Sequence, residues 1–130
     1  MEVSEAIAFW TTKTKNDTEL NIFINERINN EMKCLSDTKS ELYDLVYLHD
    51  DGIRDEKLFK QGRECVEKIN KCLVSIIELC EFLMKKGDNI KTTDNIRVAL
   101  KFVSNFKKGY YDKLYGELCE FTGCNIIKGK

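Results

Sequence analysis

The segment CLVSIIELCEFLMKK, residues 72–86, predicts a helix with apolar side chains around most of its circumference. A helix on the surface of a globular protein needs only one apolar stripe. Here Val74 and Phe82 widen such a stripe, while Glu78 and Glu81 interrupt it. A helix of this kind either crosses a membrane or is surrounded by other helices.

The length of the apolar run excludes the membrane alternative. A membrane span needs roughly 20 uninterrupted apolar residues, and this run is shorter and contains two glutamates. The charged residues upstream, Glu64, Glu67, Lys68 and Lys71, extend a helix but not a membrane helix. We therefore expect a central helix covered by the rest of the chain, with residues 65–84 as its most buried segment.

Composition favours one helical domain. The chain has 130 residues, no proline and 7 glycines, so few residues interrupt helices, and a chain of this size buries a core unaided. We predict a single all-α domain over residues 1–130. The formal net charge is −1, with acidic and basic residues interspersed. Because nucleic acid favours a one-sided basic field, no nucleic-acid partner is expected.

Apolar periodicity and capping residues predict about seven short helices. The predicted helices span approximately residues 3–13, 20–32, 42–48, 54–61, 62–86, 96–106 and 110–121. Ser36 and Asp37 are expected to cap the third helix, and the run Thr92-Thr93-Asp94 the sixth. Gly109 allows a bend, and Gly123 closes the last helix.

The spacing of the cysteines limits their pairing. Cys65, Cys72 and Cys80 lie seven and eight residues apart on one helical face, so neighbouring Cα atoms are on the order of 10 Å apart. A disulfide needs Cα atoms within about 7 Å, so these three cannot pair with one another. We interpret them as buried free thiols in a reducing compartment. Cys119 and Cys124 could approach each other across a turn, and the sequence leaves that pairing open.

The sequence contains no organised set of catalytic or metal-binding residues. His49 is the only histidine and lies beside Asp50 and Asp51 at a predicted helix end, where a solvated side chain is the common outcome. Glu78 and Glu81 have no histidine partner, and we assign them to the exposed side of the central helix. No CxxC pair and no Gly-rich phosphate loop occurs. We expect no enzyme, no metal and no cofactor.

The order of the predicted helices resembles that of the B-cell lymphoma 2 (Bcl) family of apoptosis regulators. SEAIAFWTTK resembles the first helix of that family, and ELNIFINERINNEMK stands in the place of the helix with the third homology motif. FKQGRECVEKINKCLVSIIELCEFLMKK is similar to the end of the first homology motif running into the central helix. TTDNIRVALKFVSNF resembles the next helix, and YGELCEFTGCNII stands where the second homology motif is expected.

Most signature residues of that family are replaced. Of its Asn-Trp-Gly-Arg signature the chain keeps Gly62 and Arg63. An alternative register matches residues 51–53 to the Asp-Gly element and puts Lys57 in the place of the arginine. The second motif keeps Gly123 without a following tryptophan, and we expect no hydrophobic C-terminal anchor. This loss of signature residues is similar to that in viral members of the family.

The resemblance implies a Bcl-type globule, in which about six amphipathic helices surround a central apolar helix. It implies a viral inhibitor of host apoptosis that sequesters the amphipathic death-motif helix of a pro-apoptotic host protein in a hydrophobic groove. An arginine would pair with the aspartate of that ligand in a bidentate contact that lysine cannot reproduce. The groove residues would be Tyr43, Tyr47, Leu48, Phe59, Arg63, Val66 and Ile69.

Several points stay open at this level. The resemblance implies a protein of the host cytoplasm, recruited to mitochondria through its partners, without a transmembrane anchor. One alternative is that the same fold antagonises innate immune signalling through a surface. Another is an unrelated helical bundle with an interaction or carrier role. Exposed tyrosines and apolar helix faces also leave a homodimer open.

Overall fold

A computed structural model describes residues 17–86 and 93–128, with side chains for 21–85 and 93–128. Its elements are α1 (Asp17–Asp50), α2 (Glu56–Lys86), α3 (Asp94–Lys107), α4 (Asp112–Cys119) and a short 3-10 turn (Glu120–Thr122). No strand occurs in these described residues, so the all-α prediction is confirmed. The first predicted helix, residues 3–13, lies outside them.

Helices α1 and α2 form an antiparallel hairpin. Residues 51–55 connect them, and Gly52 adopts a positive φ of 95° in the turn. The carboxylate of Asp55 accepts a 2.8 Å hydrogen bond from the backbone N–H of Leu58, which caps the start of α2. Cys34 on α1 contributes to the raised pKa of Cys72 on α2, and Glu41 on α1 to that of Cys65 on α2. From residue 34 to residue 41 the chain of α1 advances by seven residues, while the matching positions on α2 go back by seven, from 72 to 65. The two helices therefore run antiparallel.

Helix α1 is continuous through the position where we predicted a break. Ser36 and Asp37 were expected to cap a new helix, but both lie on the exposed side of an unbroken helix. On the opposite side Leu35, Thr38 and Leu42 are buried at helical spacing. The prediction was wrong because a capping residue is a weak signal that tertiary packing overrides, and neither proline nor glycine lies between residues 17 and 50.

Helix α2 begins earlier than predicted. We expected a separate short polar helix or turn over residues 54–61 and a central helix from Gly62, whereas one helix runs from Glu56 to Lys86. Leu58 is buried and Phe59 is partly buried, so the apolar face extends back to the first turn. The predicted stop of this helix at Gly87 and Asp88 lies outside the described residues.

Helix α2 supplies more buried apolar residues than any other described helix, but it is not covered on every side. Its buried face consists of Leu58, Cys65, Val66, Ile69, Cys72, Leu73, Ile76, Leu79, Cys80 and Leu83. In contrast, Val74 is 43% exposed, and Met84 is exposed as well. Within residues 17–86 and 93–128 only three further helices are present, so six helices surrounding α2 are not seen.

The predicted signals at both ends of α3 are present in the structure. The hydroxyl of Thr93 accepts a 3.3 Å hydrogen bond from the backbone N–H of Ile96 and donates one of 2.6 Å to the side-chain oxygen of Asn25. This cap therefore also joins α3 to α1. Gly109 takes a φ of 81° in the bend before α4, and Gly123 takes a φ of 72° after the 3-10 turn.

Candidate partner-binding surface

The predicted groove residues do not form one open groove. Val66 is 2% exposed and Ile69 is 0% exposed, and both pack in the core between the helices. Tyr43 and Tyr47 instead lie one helical turn apart on α1 and are exposed. Of the predicted groove residues, Tyr43 and Tyr47 therefore lie on the surface, whereas Val66 and Ile69 lie in the interior.

The exposed part of the set lies at the end of α1. Tyr47 is 69% exposed, and Tyr43 and Leu48 also reach solvent. Ile53 in the connection to α2 is a fourth exposed apolar residue. We refer to Tyr43, Tyr47, Leu48 and Ile53 as the α1-terminal surface. A group of large apolar side chains exposed together is typical of an interaction surface.

Phe59 belongs to an aromatic cluster beside this surface. Its ring centroid lies 5.8 Å from that of His49 and 6.2 Å from that of Phe121. The rings of His49 and Phe121 lie 5.2 Å apart. We expected a solvated histidine, but the side chain is only 17% exposed. The helix end that predicted solvation is instead covered by the 3-10 turn, which follows α4.

An acidic cavity of about 220 Å³ lies against this aromatic cluster. Its lining residues are Val46, His49, Asp50, Glu117, Glu120 and Phe121. The Nδ1 atom of His49 lies 3.7 Å from a carboxylate oxygen of Asp50. The described residues contain no group of three or more His, Cys, Asp or Glu side chains that could hold a metal ion. The cavity thus offers negative charge beside apolar rings.

Arg63 and Lys57 correspond to the two alternative registers of the first homology motif, and both are exposed on α2. Within the described residues no ion pair involves Arg63. By the antiparallel register of the hairpin, Arg63 lies opposite Tyr43 along the helix axis. A guanidinium at this level is available to an acidic group of a partner.

A second cavity, of about 330 Å³, lies along α2 and was not predicted. It is lined by Glu67, Asn70, Lys71, Val74, Ser75 and Glu78. These residues recur at helical spacing, and that periodicity was the available signal. We missed it because Val74 was assigned to a helix with apolar contacts on every side. Glu78 and Glu81 lie outside the core, as predicted. A carboxylate oxygen of Glu81 accepts a 3.0 Å hydrogen bond from the Nζ atom of Lys107.

The cysteines at positions 34, 65, 72, 80, 119 and 124 are free thiols. Burial, followed by the nearby Glu41 carboxylate, raises the pKa of the Cys65 thiol to about 11. Burial also raises the pKa of Cys80 to about 11, although Lys107 lowers it in part. These buried thiols are poor nucleophiles near neutral pH. The prediction that Cys65, Cys72 and Cys80 are buried and do not pair with one another is confirmed.

None of the helices in the described parts of the chain is long and apolar enough to cross a membrane. The site described above combines exposed aromatic residues, a free guanidinium and an acidic cavity around one end of the helical hairpin. Comparison with protein-family models, with curated proteins and with solved structures found no match for this chain.

Proposed function

We propose that the protein is an interaction module that binds an amphipathic helix of a partner protein. The observation that carries this proposal is the exposure of Tyr43, Tyr47 and Leu48 in the last turns of α1. Tyrosine is enriched in the residues that dominate binding energy at protein interfaces. A partner helix with apolar residues at positions i, i+3, i+4 and i+7 would cover this surface.

The partner that best fits the sequence resemblance is the death-motif helix of a pro-apoptotic host protein. Sequestering that helix would make the protein a viral, Bcl-like inhibitor of apoptosis in the host cytoplasm. Such a helix carries an aspartate, and the exposed Arg63 is available to pair with it. Truncating one member of a desolvated charge pair costs roughly 2–5 kcal/mol of binding free energy.

The first experiment is a fluorescence titration of the purified protein against a panel of labelled death-motif peptides. We expect a Kd below about 1 µM for at least one peptide. Tyr47→Ala should weaken that binding about tenfold or more. Tyr110→Ala is the matched control, because Tyr110 is 67% exposed at the bend between α3 and α4, and it should bind normally.

The role of Arg63 is tested in the same titration. Arg63→Ala should weaken binding well over tenfold without lowering the melting temperature. Arg97→Ala is its control, since Arg97 is an exposed arginine on α3 that pairs locally with Asp94. If peptides bind but Arg63→Ala has no effect, Lys57→Ala becomes the decisive variant, as the alternative register requires.

The second candidate function is antagonism of innate immune signalling by the same chain. The burial of Val66 and Ile69 favours it, because a mechanism through an outer surface does not need those residues to line an open groove. Failure of every peptide in the panel to bind would favour this function. Co-precipitation of signalling adaptors with the wild-type protein but not with Tyr47→Ala would then support it.

A further inference from the structure

Residues 121–128, which we call the C-terminal segment, pack on α2 at two separate points. At the start of the segment the ring of Phe121 lies so close to Gly62 that a Cβ atom there would be 2.7 Å from Cζ of the ring. Further along, the side-chain amide of Asn70 makes hydrogen bonds of 3.1 and 2.9 Å with the two peptide groups that flank Ile126. The side chain of Ile126 is itself buried.

The two points lie on one face of α2. Gly62 and Asn70 are eight residues apart, which is about 12 Å along a helix axis and slightly more than two turns. Val66 lies midway between them on the same face and is buried. Five residues of chain, from Phe121 to Ile126, reach at most about 18 Å. The C-terminal segment therefore connects its two points of contact by crossing the face on which Val66 lies.

This segment covers residues that the sequence resemblance assigned to a groove. Its first ring, that of Phe121, has its centroid 6.2 Å from that of Phe59, and its path crosses the level of Val66. Gly62 has no side chain, so α2 has a recess there that an aromatic ring fills. The recess accepts a ring of this chain, and its size and polarity also suit a large apolar side chain of a partner.

The recess borders the α1-terminal surface. The Phe121 ring lines the acidic cavity together with Val46 and Asp50 of α1. Val46 lies three residues after Tyr43, and Asp50 lies three residues after Tyr47, so each is a neighbour of one of these exposed tyrosines on the helix. Removal of the Phe121 ring would join the recess on α2 to the α1-terminal surface in one continuous groove.

The C-terminal segment is held less firmly than the helices that it covers. Apart from the 3-10 turn, no helix or strand includes residues 121–128. The amide of Asn70 and the burial of Ile126 hold the later part of the segment to α2. A segment without a regular hydrogen-bond ladder opens at a lower free-energy cost than core helices do.

We propose that the C-terminal segment is an intramolecular competitor of the partner helix. It occupies the face of α2 at Gly62 and Val66, and the partner helix binds that face by displacing it. This inference rests on the proposed function and specifies the partner further. The partner carries a large apolar or aromatic residue that replaces the Phe121 ring against Gly62, while its neighbouring apolar residues bind the α1-terminal surface.

The test is hydrogen exchange of the whole protein by NMR, with and without a saturating concentration of the death-motif peptide that binds most tightly in the panel. The amide of Ile127, which donates to Asn70, should exchange at least about tenfold faster in the complex, because displacement exposes it to water. The amide of Ile96 is the matched control. It also donates to a side chain, the hydroxyl of Thr93, and should keep its exchange rate.

Two variants release the segment in another way. Ile126→Ala removes its buried side chain, and Asn70→Ala removes both hydrogen bonds. Each should lower the apparent Kd for the peptide about threefold to tenfold, because the open fraction of the protein increases. Asn95→Ala, at an exposed position on α3, is the control and should leave the Kd unchanged. Circular dichroism melts check that the variants remain folded.

The outcomes separate this inference from the proposed function. Peptide binding without faster exchange at Ile127, or a Kd that Ile126→Ala leaves unchanged or raises, would overturn the competition and leave the proposed function intact. Peptide binding by Ile126→Ala but not by the wild type would support the competition. Failure of the wild type and of both variants to bind any peptide in the panel would overturn both.

Discussion

The side-chain oxygen of Asn70 accepts a hydrogen bond of 2.9 Å from the backbone N–H of Ile127. The side-chain nitrogen of Asn70 donates to the carbonyl of Asn125 at 3.1 Å. One amide group on α2 therefore binds two peptide groups of the C-terminal segment, from residues two apart in the chain. Between these contacts Ile126 is buried, so α2 fixes residues 124–128 against the core.

Removing this amide should loosen the C-terminal segment. Asn70→Ala should lower the free energy of unfolding by about 1–2 kcal/mol, because two hydrogen bonds are lost. The amide of Ile127 should also exchange its hydrogen faster, as measured by NMR. Asn95→Ala, at an exposed position in the first turn of α3, is the control and should change stability by less than about 0.5 kcal/mol. Equal effects of the two variants would contradict the role of Asn70.

Replacing two helical glycines with alanine, one at a time, should change the stability of the protein in opposite directions. A Cβ atom on Gly62 would lie 2.7 Å from Cζ of Phe121 and 2.8 Å from Cγ2 of Thr122, whereas nothing lies within 4 Å of one on Gly116. Gly62→Ala should therefore destabilise the protein by about 1–3 kcal/mol. Gly116→Ala should stabilise it by about 0.5–1 kcal/mol, since alanine favours helix. Urea unfolding of the two variants measures both signs, and a stabilising Gly62→Ala would mean that the 3-10 turn does not pack on α2.

Introducing an aspartate on each side of α2 in turn shows which side packs in the core. Ile76 is fully buried and Val74 is exposed, although only two residues separate them. Ile76→Asp should prevent folding because an unpaired buried carboxylate costs several kcal/mol. Val74→Asp should give a soluble protein that melts cooperatively near the wild-type temperature. Circular dichroism melts distinguish these outcomes, and cooperative melting of Ile76→Asp would refute the assignment of the core face.

Stability should decrease in alkaline solution. Burial, with smaller contributions from Tyr111 and Tyr43, raises the pKa of Tyr115 from 10.0 to about 12. The unfolded chain loses this proton near pH 10 and the folded protein only near pH 12. The unfolded state therefore binds fewer protons in that interval, and stability falls as pH rises through it. The raised pKa values of the buried cysteines act in the same direction from about pH 9.

The contribution of Tyr115 can be separated by substitution. Its buried hydroxyl has no hydrogen-bond partner within the described residues, so Tyr115→Phe removes a titrating group without breaking a described contact. Between pH 8 and 10.5 this variant should lose roughly 1 kcal/mol less stability than the wild type in urea unfolding. Tyr110→Phe, at an exposed position, should follow the wild-type curve. Parallel curves for Tyr115→Phe and wild type would exclude this source of alkaline destabilisation.

The sequence predicted the second half of the fold better than the first. Thr93, Gly109 and Gly123 each determine a cap or turn through their own chemistry, and the structure has an element boundary at each of them. The expected break at Ser36 and Asp37 failed because those side chains are accommodated on the exposed side of a helix. Local capping signals are reliable only where packing does not oppose them.

The candidate surface could be predicted only in part. Tyr43 and Tyr47 follow from helical spacing, but the burial of Val66 and Ile69 depends on how α1 and the C-terminal segment pack on α2. Periodicity within one helix gives its apolar face but not the residues that this face meets.

The short connection of residues 51–55 between α1 and α2 also influences how the chain folds during synthesis. Closing so short a loop costs little chain entropy, and pairing of neighbouring helices is fast. The hairpin can therefore form before α3, α4 and residues 124–128 exist to cover its remaining apolar side. We expect a nascent chain to present that uncovered side to chaperones until residues 94–128 have left the ribosome.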